Sequence, residues 1–192
     1  NKQENKHATK TYNSKSNSHQ FQLGGYIKVD TLLSTFSDGE VASGSVGRDF
    51  YVPSTIPVGA GRQSSVIDNH ARQTRFYFGS NSTLNNGGSL KSYLELDFLV
   101  TPNGNERITN SYTPRVRHAY LQYNRWLLGQ TWNTFMDVAS FPETLDFVGP
   151  AESTTLGRQA MVRYSYQGIA IALENPITTV TPNGGGNRIT SD

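Results

Sequence analysis

The sequence predicts an all-β fold, a transmembrane antiparallel β-barrel, on three observations. Segments of roughly ten residues, the length of a tilted strand crossing a bilayer, alternate apolar with polar side chains. The connections between them alternate long and short along the chain. The composition has only 35% hydrophobic residues but 11% aromatic, with ten Tyr, nine Phe and 18 Gly. That balance favours strands and turns, and no apolar run reaches the roughly 18 residues of a membrane-crossing helix.

Residues 1–20 are polar and without heptads, and read as a flexible N-terminal tail. They hold Lys2, Lys6, Lys10 and Lys15 against Glu4. The tail therefore carries the basic excess behind the overall charge of +2 and gives no reason to expect nucleic acid as a partner. The remainder, 21–192, reads as one barrel unit. "FQLGGYIKVDTLLSTF" (21–36) places Phe21, Leu23, Ile27, Val29 and Leu33 on one face and Tyr26, Lys28 and Asp30 on the other. Residues 37–69 are loop-like, rich in Gly, Ser and Pro. "ARQTRFYFG" (71–79) sets Phe76 and Phe78 against Arg75 and Tyr77. "LKSYLELDFL" (90–99) sets Leu90, Leu94, Leu96 and Phe98 against Lys91, Tyr93, Glu95 and Asp97.

"RVRHAYLQY" (115–123) is a strand of ambiguous parity, and Asn124–Arg125 is a two-residue turn into "WLLGQTW" (126–132). "RQAMVRYSY" (158–166) opposes Ala160, Val162 and Tyr164 to Gln159, Met161 and Arg163. Gln167–Gly168 is a second tight turn, and "IAIALEN" (169–175) ends the series at about seven strands. Long connections (37–70, 100–114, 133–157, 176 onward) alternate with short ones. A soluble sandwich has no reason to sort its loops this way; a membrane barrel has tight periplasmic turns and long outer loops. Bacterial single-chain barrels have even strand counts, so the segment is expected to be the N-terminal part of a larger barrel.

The segments that carry the alternation also carry a resemblance. "GGYIKVD", "VPSTIPV", "TRFYFG", "YLELDF", "NERITNSYTPRVRHAY", "GQTWNTFMDVASFPETLDFVGP" and "RQAMVRYSY…ALENP" occur in that order between Gly24 and Pro176. Together they resemble the DcaP-like family of outer-membrane porins. The resemblance implies a Gram-negative outer-membrane location, contact with membrane lipid, a homotrimer of 16-stranded barrels and passive diffusion of small anionic solutes such as dicarboxylates. It also implies that the third outer loop, about 133–157, folds inward and narrows the channel. Family members can carry an N-terminal coiled coil, of which residues 1–20 show no heptads.

The loop suits that placement. Trp132, Phe135, Phe141 and Phe147 offer an aromatic face for the wall, and Asp137, Glu143 and Asp146 offer carboxylates to a water-filled lumen. Thr131 or Asn133 can cap a short helix through Val138, with Pro142 as its stop. Opposite charge is available from Arg75 and Arg163 on the inward faces, Arg115 and Arg117 in "TPRVRHAY", and Arg72 and Arg158 at strand starts. A guanidinium binds carboxylate through two parallel charge-assisted bonds, and rings of arginine select anions. The same arginines could instead brace the loop acids, and the sequence leaves both roles open. Arg117 shares parity with Ala119 and Leu121, which places it above the bilayer, at a subunit interface or beside a bulge. Lys91, Glu95 and Asp97 read as lumen ion pairs rather than as a catalytic acid pair.

Enzymatic patterns are lacking, and no catalytic, cofactor or metal residue is assigned. There is no cysteine, and none of His7, His19, His70 and His118 has metal-ligand spacing to another. No GxSxG element occurs, and "NGGGN" (183–187) lacks the lysine of a phosphate loop. A soluble β-sandwich that binds carbohydrate is the alternative function class.

Overall fold

In the computed structural model, residues 8–13, 19–100, 109, 111–142, 144–147, 157–175, 178–180 and 189–191 are described, the first and last two of these stretches by backbone alone. Among the described residues twelve strands form, all in antiparallel pairs. They are β1 (Ala8–Asn13), β2 (His19–Tyr26), β3 (Asp30–Phe36), β4 (Ser64–His70), β5 (Arg75–Thr83) and β6 (Ser89–Asp97). Then follow β7 (Arg115–Tyr123), β8 (Trp126–Trp132), β9 (Arg158–Tyr166), β10 (Ile169–Glu174), β11 (Thr178–Val180) and β12 (Ile189–Ser191). Eight of them make one sheet in the order β1-β2-β5-β6-β7-β8-β9-β10. The sheet is open, with β1 and β10 as its edges. No helix among the described residues is long and apolar enough to cross a membrane, which leaves crossing by strands open.

The alternation read from the sequence sorts the sheet into two faces. Phe21, Leu23, Phe78, Leu121, Leu128 and Ile171 stand on one face, each at least 38% exposed. The other face is polar, and much of it is buried: Glu95, Asp97, Arg117, His118 and Thr131 are each less than 9% exposed. The buried apolar residues among those described are only Val41, Leu99, Leu127 and Met161. A water-soluble core has the opposite arrangement. The polar face is stiffened by a ladder of rings: Tyr77 and Tyr93 stack at 5.7 Å, and Tyr93 meets Tyr120 at 5.7 Å.

Four features differ from the sequence expectation. The first predicted strand, 21–36, is two strands separated at 27–29. Gly25 lies at the break, with φ of 152°, and a Cβ there would fall 2.1 Å from the Arg75 carbonyl oxygen. β2 thus ends in tight contact with β5, while β3 leaves the main sheet. Residues 37–69 are not all loop, because β4 pairs with β3 as a separate hairpin. Its sequence, SSVIDNH, has too few apolar residues to announce a strand; cross-strand polar pairs hold it instead, Thr31 to Asn69 at 2.8 Å and Thr35 to Ser65 at 3.1 Å. Residues 8–13 of the expected tail pair with β2 as β1. The main sheet therefore has eight strands rather than about seven, and β11 with β12 adds a small hairpin after residue 176.

Candidate functional site

The strand ends joined by long connections carry the charged residues. In register, Tyr26 lies beside Arg75, Asp97 beside Arg115 and Trp132 beside Arg158. The polar face thus concentrates charge along one rim. Arg115 grips Asp97 through both its fork positions, Nε to Oδ1 at 2.8 Å and Nη2 to Oδ2 at 2.6 Å. Arg117 bridges the two acids, Nε to Glu95 Oε1 at 2.7 Å and Nη1 to Asp97 Oδ2 at 2.9 Å. Arg75 Nε stands 3.5 Å from Glu95 Oε1, and the Tyr93 hydroxyl donates to Glu95 Oε2 at 2.7 Å.

Arg117 reaches this position through a β-bulge. Glu95 pairs with His118 and Leu96 with Val116, so residue 117 has no partner across β6. A regular strand would send 117 and 118 to opposite faces, whereas a bulge re-aims one of them. Here both are buried, at 4% and 7% exposed. Of the three placements the sequence left open for Arg117, the bulge is the one found. His118 Nδ1 and Thr131 Oγ1 lie 3.0 Å apart, which locks the imidazole against β8.

The described part of the third long connection, 133–142 and 144–147, lies against this face. Its root is fixed twice: the Asn133 amide donates to the Gly157 carbonyl at 3.0 Å, and the Thr134 amide and hydroxyl both donate to Glu174 Oε1. Asp137, not Thr131 or Asn133, caps the short 3₁₀ turn Val138–Ser140, accepting from the Ala139 amide at 3.0 Å. Thr131 is inside β8 and Asn133 is buried at its end, so neither is free to cap. Farther on, Phe147 packs on Phe50 at 5.5 Å, and Asp146 accepts from the Tyr51 amide at 2.8 Å. The Arg117 guanidinium sits 5.7 Å from the Phe147 ring and 6.0 Å from Trp132, while Arg158 lies 4.7 Å over Trp132.

Sheet and loops border a cavity of about 990 Å³, lined by Arg75, Arg115, Arg117, Arg158 and Trp132 of the sheet and by Asp146 and Phe147 of the third connection. The Glu95 and Asp97 side chains are 10% and 0% exposed and Arg117 between them 5%, against 21% for Arg75 and 23% for Arg115, whose guanidiniums are the more open. The surface turned to the cavity is therefore cationic. Four guanidiniums stand against Glu95, Asp97 and Asp146, and among the described residues no carboxylate pairs with Arg158. Among the described residues that line or back the cavity, guanidiniums outnumber carboxylates by four to three.

The predicted residues divide accordingly. Arg75, Arg115, Arg117, Arg158 and Trp132 come together. Arg163, five residues along β9 from Arg158, donates from Nη1 to the Trp132 carbonyl at 3.5 Å and pairs with no carboxylate among the described residues. Arg72 faces a separate polar pocket, where Nη1 bonds Asp49 at 2.8 Å. Asp137 is an exposed cap rather than a partner of the arginines, and Phe135 is 99% exposed, so the wall contact expected of it is not made. Glu143 lies outside the described residues. The sequence did not single out Glu174 or Asp49, because nothing local marks a carboxylate whose partner is tens of residues away.

Residues 6–188 match the DcaP outer membrane protein family. The chain belongs to that family. The DcaP family is an outer-membrane family, so the chain is an outer-membrane protein. No curated protein matches it. Among solved structures, the chain is similar to the crystal structure of the outer membrane channel DcaP of Acinetobacter baumannii, at a TM-score of 0.60 and 24% identity. The likeness covers 90% of this chain and 46% of that one, so the chain spans about half the length of the channel it matches.

Proposed function

We propose that this DcaP-family chain forms the N-terminal part of a transmembrane barrel of about 16 strands, a passive channel for small anions, including dicarboxylates. The observation that carries this is the cationic wall: four arginines face the cavity and their acids lie buried. An anion entering the cavity meets guanidinium forks that are already oriented by Glu95 and Asp97. It need not displace those acids, because Arg158 has no carboxylate partner among the described residues. Asp146 lines the same cavity, and the two signs of charge together would align a solute carrying a carboxylate at each end. The third connection acts as the constriction, with Phe147 and Trp132 as its apolar edge.

The apolar face supports a lipid contact. Its tight-turn rim carries Trp126 and Tyr164, 4.9 Å apart, and Tyr166 with Arg125 at 4.0 Å, as in the aromatic belt of a membrane interface. A homotrimer is proposed on the family resemblance alone. No covalent chemistry is assigned to any residue.

The test is solute flux into liposomes holding the full-length protein. A four-carbon dicarboxylate should enter faster than a diamine of the same length. Equal rates, or faster diamine entry, contradict the anion reading.

A further inference from the structure

His70 occupies a position that the channel reading does not use. It ends β4, and its side chain is 3% exposed. Nε2 lies 3.5 Å from Asp49 Oδ1, and Nδ1 lies 4.0 Å from Asp30 Oδ2. Both ring nitrogens and Asp30 Oδ2 are buried without a hydrogen-bond partner. The imidazole borders a polar pocket of about 330 Å³ together with Arg48, Asp68, Asp49 and Arg72. The charged groups around it come from every neighbouring element. Asp30 on β3 also meets Lys28 at 3.2 Å; Asp49 also meets Arg72 at 2.8 Å; Arg48 and Asp68 pair with each other at 2.7 Å.

A neutral imidazole has one N–H and one lone pair. With a carboxylate oxygen beyond each nitrogen, one carboxylate must then face the lone pair. Only the imidazolium donates to both, joining β3 to the first long connection. That connection continues from Asp49 into Phe50, which packs on Phe147, and Tyr51, whose amide holds Asp146. Phe147 in turn lies against Arg117.

We propose that His70 is a positioning residue of the constriction, a proton-dependent clasp that holds the first connection, and through it the third, over the arginine wall. Protonated, it ties Asp30 and Asp49 together. Neutral, it releases one of them, and the contacts of Phe50 and Tyr51 with the third connection loosen. The inference rests on the channel reading for its consequence, but the clasp itself can be read without conduction.

Two measurements on the full-length protein test it. In detergent, with Trp126→Phe leaving Trp132 as the reporter in this segment, Trp132 emission should change across the pH interval in which an imidazole gains or loses its proton. In planar bilayers, open-channel fluctuations should increase over the same interval. His70→Gln should remove the pH dependence from both signals and leave them at the alkaline level. Asp30→Asn, which removes one acceptor and keeps the imidazole, should shrink it. A purely structural role would move the signals equally at every pH. Wild-type protein flat across the interval, or His70→Gln keeping the wild-type dependence, overturns the clasp. Absence of conductance with a pH-dependent Trp132 signal would instead uphold the clasp and reject the channel.

Discussion

At Arg117 one guanidinium meets two carboxylates and two aromatic rings. Removing it would leave Glu95 and Asp97 buried with too little positive charge. Breaking a buried pair from one side costs about 3–5 kcal/mol. Arg117→Met should therefore lower the urea midpoint of the protein in detergent clearly. Arg158 differs, because it rests on Trp132 and pairs with no carboxylate among the described residues. Arg158→Gln should leave the urea midpoint close to wild type and reduce preference for anions in bilayer recordings. The two variants separate bracing from solute contact, which the sequence alone could not. Parity along β5 and β6 was enough to place Arg75, Glu95 and Asp97 together. It failed at Arg117 because a bulge shifts the count by one and no Gly or Pro marks it.

The long connections are built elements with their own fastenings. In the β3–β4 hairpin, Asp38 accepts the Gly59 and Gly61 amides, each at 2.5 Å, and Ser64 donates to the Gly39 carbonyl. The Gly59 and Gly61 amides hold the Asp38 carboxyl below its usual range. Its lowered folded value means that its contribution is present above the unfolded value and is lost as pH falls through the folded one. Amide-exchange protection at Gly59 and Gly61 should thus fall in acid for wild type. In Asp38→Ala it should be low at every pH. The third connection depends on Glu174 in the same way, since one oxygen receives both Thr134 donors. Glu174→Ala should speed proteolysis within 133–157 while leaving the sheet intact by circular dichroism. The existence of a long, aromatic, acidic loop was legible in the sequence, as was its start after Trp132. Which acid does what was not: Asp137 caps a turn and Asp146 holds the first connection. Those contacts depend on how two distant loops meet.

On the scale of the whole molecule, the order of long and short connections determines which rim carries the charge. The tight turns at 124–125 and 167–168 lie opposite the arginine rim, so the site is assembled from six strand ends and two loops. The alternation also determines the faces: the apolar one is exposed and the polar one buried. Both properties were readable from periods and spacings. The β3–β4 hairpin and β1 were not, because their sequences are polar and they are held by backbone and hydroxyl pairing. The central claim, a cationic eyelet under a folded loop, is tested most directly by one measurement. It is the zero-current reversal potential of the full-length protein in a potassium chloride gradient across a planar bilayer. The account predicts a sign that reports chloride as the more permeant ion. A reversal potential at zero, or of the cation-selective sign, would contradict it.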